Sequence, residues 1–506
     1  MPLKVIQKEI EAERKIGYRM AQMQVRAETL VPGAGRDPID VLLWDANAHL
    51  IRTDVQSGRV VLDGGVVCQA VYRMGEETSL RALTARTNIS QAVDIDGAEE
   101  GMLSRAKVVV DSTEARYENG HMVFQVGLTL YVWVMRLETV SLVEGIEADT
   151  CVQQKSMEIC VQKLAAEANE TMVLTDRVAL PASLDARAAL MDWGSVEIDS
   201  EEQDLGGYRV KGRAMIETLI SSGQADRPAA LLRHPIAFDK LIELPEWLAK
   251  DARASAVLRG VRSQVEQAEN GADGALTLQA DISFSIQANP RTCTSALEDA
   301  YAVCGNDIVI ERKQLDAVSD VIFTQTTEMA RGTAMLPEGA RDVGAVIAVR
   351  VQPNIAEIKT SEGRSRITGI LDAVVLYTTA SARTPASLQT AIEFSADVPQ
   401  SLQEDSQIVI TVLQAEAGGM MGDQLDIRVN LNISCMTRIE TQYSIATDVR
   451  EGDAIERRTG FVIFWPEAGD DAWMIGRRYH VGEESVKRSA ENGEVEAGKP
   501  IVIAMR

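Results

Sequence analysis

A frame that occurs three times limits what this chain can fold into. Each copy has a Leu one or two residues before a Pro and then, 25 or 26 residues after that Pro, the first of two glycines six residues apart. The copies cover residues 30–64, 180–212 and 336–369, and their first glycines are 148 and 157 residues apart. Stacked solenoid units repeat every ~20–50 residues. The longer period therefore predicts a string of separate domains, each a copy of the others.

Alternating apolar residues indicate that each copy is built from antiparallel strands. Runs with every second residue apolar begin at Phe124, Leu276 and Leu425, once in each copy, and a period of two is that of a half-buried strand. Asn119-Gly120 before the first run favours a type I′ hairpin turn. The turn residues of the other copies are Asn270, Gly271, Asp273 and Gly274, and then Gly418, Gly419 and Gly422. We expect a mainly β fold with three tandem sandwich or open-barrel-like domains.

Short helices and a backbone bend are also predicted within the frame. Asp37 fits a helix N-cap and Pro38 the first helical position, which predicts a short helix over residues 39–43. Residues 183–187 take that place in the second copy. Gly64 fits a bulge or bend in which a left-handed backbone favours glycine.

The repeat also sets the expected domain boundaries. The copies are expected at residues 1–148, 150–304 and 307–448, and the charged span 448–458 is typical of a linker. Residues 459–506 differ from the copies. They predict a strand, two helices and a final strand, with Asp470 capping the first helix, as a small βααβ domain.

The charge balance excludes several classes of function. The chain has 51 basic and 75 acidic residues and a net charge of −24 at pH 7. Binding to nucleic acid or to an anionic membrane needs clustered Lys and Arg, so neither is expected. No stretch has the ~18 uninterrupted apolar residues of a membrane span, and the first residues lack the apolar core of an export signal. The acidity either keeps an elongated protein in solution or favours a basic partner.

The cysteines and histidines predict no metal site, cofactor or catalytic centre. The six cysteines lie at different places in the three copies and form no Cys-x-x-Cys pair, so we expect buried free thiols and a reducing cytoplasm. The four histidines form no pair at metal-ligand spacing, and a phosphate-binding Gly-x-x-x-x-Gly-Lys-Ser/Thr loop does not occur. The chain is therefore expected not to be an enzyme.

Residues 469–481 and 497–503 resemble the LysM family, which reads Pro-Gly-Asp-Thr-Leu-Trp-x-Ile-Ala-x-x-Tyr-x-Val and later Pro-Gly-x-x-Leu-x-Ile. The chain departs from that pattern at Asp471, Ala472 and Ala490, where the family has Thr or Ser, Leu and Asn. LysM domains hold N-acetylglucosamine chains around these positions. The resemblance with these changes implies a small fold that serves as a protein-docking surface.

The thrice-used frame resembles the SPOCS (DUF3794) family of spore-forming Firmicutes. Several such domains followed by one LysM domain is the layout of clostridial spore-coat morphogenetic proteins. The resemblance implies a scaffold on the forespore surface, in the mother-cell cytoplasm, that becomes part of the spore coat. Its tail would bind the morphogenetic ATPase of the coat's basement layer, and its repeats would recruit other coat proteins or self-associate.

The candidate partner-binding residues lie in the LysM-like tail, and two interpretations stay open for them. Trp473 with Ile475 and Tyr479 is either the core of that domain or a stripe facing a partner. The basic side chains are either a solvated helix face or a surface for an acidic partner. The full set is Asp470, Asp471, Trp473, Ile475, Arg477, Arg478, Tyr479, Lys487 and Arg488. The alternative function is an envelope or cortex protein that binds the glycan of peptidoglycan through this tail.

Overall fold

The fold is mainly β, as the alternating runs predict. We analysed a computed structural model. It describes residues 4–33, 38–75, 77–147, 151–224, 226–267, 274–336, 343–421, 424–456 and 459–505.

The first repeat is a sandwich of two antiparallel three-stranded sheets. One sheet has the strand order β1-β6-β5 and the other β2-β3-β4. Asn119 and Gly120 form the predicted turn between β5 and β6, and both have positive φ. The strands are β1 (Lys4–Leu30), β2 (Ile39–Gln56), β3 (Arg59–Met74), β4 (Arg81–Asp94), β5 (Leu103–Glu118) and β6 (His121–Glu147).

The second repeat has the same strand order, but its first and last strands are each divided in two. Its sandwich has the sheets β8-β13-β12 and β9-β10-β11, and a separate two-stranded ribbon, β7-β14, extends from it. The elements are β7 (Val152–Gln162), β8 (Ala166–Leu180), a 3-10 turn (Ala182–Leu184), β9 (Ala186–Asp204), β10 (Gly207–Gln224), β11 (Arg227–Glu243), α1 (Glu246–Ala249), β12 (Ala252–Glu266), β13 (Gly274–Ala288) and β14 (Arg291–Ala302).

The third repeat again has two three-stranded sheets, β15-β20-β19 and β16-β17-β18, and the chain ends in a small βααβ unit. The elements are β15 (Asn306–Met335), β16 (Val343–Ser361), β17 (Arg364–Thr379), β18 (Pro385–Val398), β19 (Gln407–Met421), β20 (Gln424–Ala454), β21 (Gly460–Phe464), α2 (Ala472–Tyr479), α3 (Glu483–Ser489), a 3-10 turn (Glu491–Gly493) and β22 (Ile501–Met505). We call residues 459–505 the tail.

The two glycines of the frame have different physical roles. The first glycine of each copy ends a hairpin turn with φ between +75° and +88°, a conformation that costs other residues about 1–2 kcal/mol. The second glycine has no positive φ. A Cβ on Gly64 would lie 2.3 Å from the carbonyl oxygen of His49, where β2 has a register shift between Leu50 and Arg52. A bulge lies at this point, but its extra residue is Ile51 of β2, and close backbone approach, not a left-handed backbone, requires the glycine.

Two local predictions are wrong. The helix expected over residues 39–43 is the start of β2, because this segment pairs with β3. Asp37 lies outside the described residues. Within the corresponding residues 183–187 of the second copy, only the 3-10 turn is helical, and β9 begins at Ala186. The span 448–458 is not a linker up to residue 454, since β20 continues through it and pairs with β15 from Asn306 onward.

The turn residues Asn270, Gly271, Asp273 and Gly422 also lie outside the described part of the chain.

One end of each repeat packs against the corresponding ends of the other two repeats. In the first and third repeats the long strand pairs β1-β6 and β15-β20 run on beyond their sandwiches as ribbons, after register shifts at Lys15/Gly17 and Val318/Asp320. In the second repeat β7-β14 is the corresponding ribbon. The three ribbons share one buried apolar cluster, whose members include Ile10, Val140 and Leu142, Ile159, Val161 and Ala296, and Leu315, Ala317 and Ile445.

The sandwiches share a second core, so the expected string of separate domains is wrong. Val71, Leu219 and Leu376 each lie thirteen residues after the first glycine of their frame. All three are 0% exposed and belong to one apolar cluster. Equivalent residues of three repeats can meet in this way only when the repeats surround a common axis. Each copy buries apolar side chains against the other two, and an elongated chain does not result.

Polar contacts join every pair of repeats. Arg350 Nη2 of the third repeat lies 2.9 Å from Asp45 Oδ2 of the first. The backbone N–H of Leu164 in the second repeat donates to a carboxylate oxygen of Glu13 in the first, at 2.9 Å. The second and third repeats are joined by Arg233, whose Nη1 lies 2.7 Å from a carboxylate oxygen of Glu416.

The prediction of free thiols is confirmed for two cysteines and wrong for four. Cys68 and Cys435 are buried and free. Disulfides join Cys151 to Cys304 and Cys160 to Cys293, with sequence separations of 153 and 133 residues. Both cross-links connect the first and last strands of the second repeat, which explains why no short cysteine spacing reveals them. They also remove the argument from free thiols to a reducing compartment.

Candidate functional site

The tail is a small domain with its own core. α2 and α3 pack on one face of the two-stranded β21-β22 sheet around Ile475, Val486 and Ile503. Asp471, and not the predicted Asp470, caps α2, because its Oδ1 accepts a hydrogen bond of 2.7 Å from the backbone N–H of Met474. An Asp in this position does the work of Thr or Ser. Asp470 instead accepts from the backbone of the turn that precedes the helix.

The tail is docked on the ribbon of the second repeat through Asp299 of β14. Trp473 Nε1 donates to Asp299 Oδ2 at 2.8 Å. Arg477 Nη1 lies 2.6 Å from the same oxygen. The Asp299 side chain is only 15% exposed, so these charge-assisted bonds are stronger than those of a solvated surface pair. A register shift between Leu297 and Asp299 interrupts the β7-β14 pairing at this point.

Tyr301 forms the apolar part of the same contact. Its ring meets the Trp473 ring edge-on, with centroids 4.9 Å apart. Its hydroxyl donates to the carbonyl oxygen of Val481 at 2.9 Å. Burial, with smaller contributions from the carboxylates of Glu483 and Asp299, raises the pKa of Tyr301 to about 12. The phenol therefore stays protonated and keeps this hydrogen bond at neutral pH.

A glycine lets the helix approach Tyr301 this closely. A Cβ on Gly476 would lie 2.4 Å from the Tyr301 hydroxyl oxygen. At the end of α2, His480 Nδ1 donates to the carbonyl oxygen of Ala302 at 2.9 Å. The contact is therefore fitted along the whole length of α2. Neither interpretation of Trp473 describes it fully, because its partner is the second repeat of its own chain.

The other predicted residues also have partners within the tail. Ile475 is buried in the tail core. The guanidinium of Arg478 lies 5.7 Å from the centroid of the Phe464 ring, and Tyr479 meets the same ring edge-on. Lys487 Nζ lies 2.9 Å from a carboxylate oxygen of Glu483.

Arg488 Nε donates to the carbonyl oxygen of Glu484 at 3.1 Å. The basic residues of α3 are therefore paired with acidic or carbonyl groups of the same helix.

A polar cleft lies between the tail and the ribbon. Its volume is about 470 Å³. One side is formed by Asp470–Trp473 and Gly493–Val495, and the other by Gln154 and Lys155 of β7. Charged side chains line most of it. Because the second repeat supplies part of the wall, the isolated tail does not contain the whole cleft.

The outer face of the β21-β22 sheet is apolar and exposed. Phe461, Ile463 and Trp465 are 79%, 64% and 60% exposed, and Val502 beside Ile463 is 49% exposed. Val462 and Phe464 alternate with them and face the tail core. Sequence reasoning missed this face. The signal was a strand that is apolar at every position, since a strand with one solvated face should alternate.

One segment of the first repeat matches a known protein family. Residues 37–118 match the family model described as SipL, SPOCS domain. This segment spans strands β2 to β5, so this part of the first repeat is similar to a SPOCS domain. The match indicates a role related to sporulation and is consistent with a spore-associated protein. No curated protein matches the chain, and neither does any solved structure.

The match lies within the first repeat, so the assignment of the second and third repeats to the same family stays a prediction, which their shared strand order supports. Among the described residues, no helix combines the length and the apolarity that crossing a membrane requires.

Proposed function

We propose that this chain is a non-enzymatic morphogenetic scaffold of the spore coat. In this proposal the tail, which resembles LysM in sequence, binds a protein of the coat's basement layer, the morphogenetic ATPase. The three repeats then recruit or assemble further coat proteins. The sporulation-related family match supports the setting. The exposed apolar face of the β21-β22 sheet is the observation that supports protein docking.

This face is large enough to matter in binding. Phe461 and Trp465 are 79% and 60% exposed, and aromatic side chains bury about 150–250 Å² each when covered. The two together offer roughly 300 Å², worth about 7 kcal/mol before the costs of association at about 25 cal/mol per Å². The largest apolar patch on a typical soluble monomer is about 300–600 Å² and is often functional, and this face reaches the lower end of that range.

The face is also the part of the tail that remains free for a partner. Trp473 and Arg477 are engaged by Asp299 of the second repeat. The exposed face lies on the opposite side of the β21-β22 sheet from α2, the helix that makes this contact. A partner can therefore bind Phe461 and Ile463 without undocking the tail, and the repeats stay close to the bound ATPase.

Binding of the purified full chain to the purified coat ATPase tests this proposal. Phe461→Asp places a charge at the most exposed residue of the face without touching the tail core, and we expect at least about 30-fold weaker binding, or about 2 kcal/mol. Met474→Asp is the matched control. Met474 is 53% exposed on α2, away from the sheet face, and this variant should bind like the wild type. Unchanged binding by Phe461→Asp would refute the docking surface.

The cleft favours a second candidate, an envelope or cortex protein that binds peptidoglycan glycan. One wall of the cleft includes Asp470–Trp473, which lie within the first segment of the LysM resemblance, and Gly493–Val495, which lie just before its second segment. Sedimentation of the full chain with insoluble peptidoglycan separates the two functions. Retention that is lost in Asp471→Lys and kept in Phe461→Asp would support glycan binding in place of protein docking.

A further inference from the structure

A dithiol and a carboxylate lie together on one face of the second ribbon. Cys160 of β7 and Cys293 of β14 are directly opposite each other in the strand register. Glu158 precedes Cys160 by two residues and therefore lies on the same face of β7. One carboxylate oxygen of Glu158 and the two sulfurs all lie within 4.8 Å of one another.

This is the ligand set of a zinc site once the disulfide is open. Thiolate and carboxylate are both zinc ligands, and two sulfurs bound at about 2.3 Å to a tetrahedral ion lie about 3.8 Å apart. The Cα atoms of Cys160 and Cys293 are 4.1 Å apart. Side chains of a directly opposed pair project side by side. Separated sulfurs can therefore reach the required spacing by side-chain rotation alone.

Two further features of the ribbon suit an ion. Glu158 and Cys293 are exposed, so an ion can enter from solvent. Gln162 follows Cys160 by two residues on the same face, and its Oε1 is buried without a hydrogen-bond partner in the described structure. An amide oxygen or a water can complete the four-coordinate shell. The other cysteine pair differs, because Cys151 and Cys304 belong to no such cluster among the described residues.

We propose that Cys160, Cys293 and Glu158 form a redox-gated Zn²⁺ site. A dithiol reductant transfers two electrons and two protons to the disulfide, which opens it to two thiols as the reductant closes to its own disulfide. Zn²⁺ then binds both sulfurs and displaces the two thiol protons to solvent. A disulfide oxidant then takes up two electrons from the thiolates and two protons from solvent and becomes a dithiol, which re-forms the S–S bond and releases Zn²⁺. The ribbon is thus cross-linked in either state, by zinc when reduced and by sulfur when oxidised.

Cobalt binding to the full chain tests the site, because Co²⁺ replaces Zn²⁺ and shows an absorption band from thiolate ligands. The chain is reduced with a phosphine and kept free of oxygen. We expect one Co²⁺ per chain with that band, loss of the band on adding Zn²⁺, and no band in the oxidised chain. Cys160→Ser should weaken Co²⁺ binding at least ~100-fold, and Glu158→Gln, a change at an exposed residue that leaves the fold intact, about tenfold or more.

The double variant Cys151→Ser/Cys304→Ser is the matched control, and it should retain the band and its affinity. Three results would overturn the proposal: a reduced wild-type chain without the band, a Cys160→Ser variant that binds as tightly as the wild type, or loss of the band in the control. Zinc content of reduced chain, measured after gel filtration, provides a second reading that does not depend on cobalt. Less than one zinc per two chains would also count against the site.

Discussion

Leu219→Ala tests whether the three repeats share a core. Leu219 of β10 is 0% exposed and lies in one apolar cluster with Val71 of the first repeat and Leu376 of the third. Replacing its isobutyl group by a methyl group leaves a cavity among three sheets. We therefore expect the substitution to loosen all three repeats, although only the second repeat is changed.

The expected loss of stability is near the upper part of the usual range. Leu→Ala substitutions in cores cost about 2.7–5.0 kcal/mol, and the cost rises with the cavity that remains. The neighbours of Leu219 belong to hydrogen-bonded strands of different repeats, such as β3 and β17, which cannot close around the cavity together. A loss of about 4 kcal/mol follows, and it corresponds to roughly a thousandfold larger opening constant at sites protected by this cluster.

Hydrogen exchange followed by mass spectrometry measures this directly. In Leu219→Ala, peptides that contain Val71 and Leu376 should exchange faster, together with those of β10. Leu278→Ala is the control, because Leu278 is also 0% exposed but belongs to the second sandwich's own core. It should accelerate exchange mainly within the second repeat. If Leu219→Ala leaves the first and third repeats unchanged, the repeats fold as independent bodies and the shared-core argument fails.

Two further predictions concern the docked tail and a buried lysine. Asp299→Ala leaves Trp473 and Arg477 without their acceptor and should weaken tail docking by about 3 kcal/mol, seen as faster proteolysis between β20 and β21. Burial lowers the pKa of Lys107 from 10.5 to about 8, so the unfolded chain binds more protons between these pH values and stability rises with pH there. Lys107→Met should remove that rise, about 3 kcal/mol in total, as measured by urea unfolding from pH 7.5 to 10.

Each of these predictions has an internal comparison. Glu298→Ala changes the residue beside Asp299, which pairs with Lys155 at the surface, and should alter proteolysis little because exposed pairs contribute less than about 1 kcal/mol. Rates for Asp299→Ala equal to those of Glu298→Ala would contradict the docking contact. For Lys107, the difference between wild type and variant cancels the titration of thiols and phenols. A difference that is constant with pH would show that the amine is not desolvated.

Strand positions were predictable because their signal is local. The residues that alternate after Phe124, Leu276 and Leu425 line three buried faces, as their period of two requires. The βααβ order of the tail was predictable for the same reason. Turn glycines were equally readable, since the first glycine of each frame has the positive φ that few other residues adopt.

Predictions that depended on distant partners were wrong or incomplete. Residues 39–43 have apolar side chains at helical spacing, yet they form a strand because β3 pairs with them on both sides of a register shift at Leu42. Cys151 and Cys304 are 153 residues apart in sequence, so only the pairing of β7 with β14 brings them together. The charged span after residue 448 is typical of a linker in sequence, but up to residue 454 it is part of β20 and pairs with β15.

Leaving sandwich and open barrel as alternatives, the sequence by itself determined a mainly β unit that is used three times and the presence of a different domain at the end. These follow from short-range periodicity and from turn chemistry, which act between residues a few positions apart. Only the tertiary structure decided that equivalent residues of three copies meet on one axis and that Trp473 faces Asp299 of its own chain. Such contacts depend on which of several apolar and charged surfaces find each other in space, and residue spacing along a chain does not encode that choice.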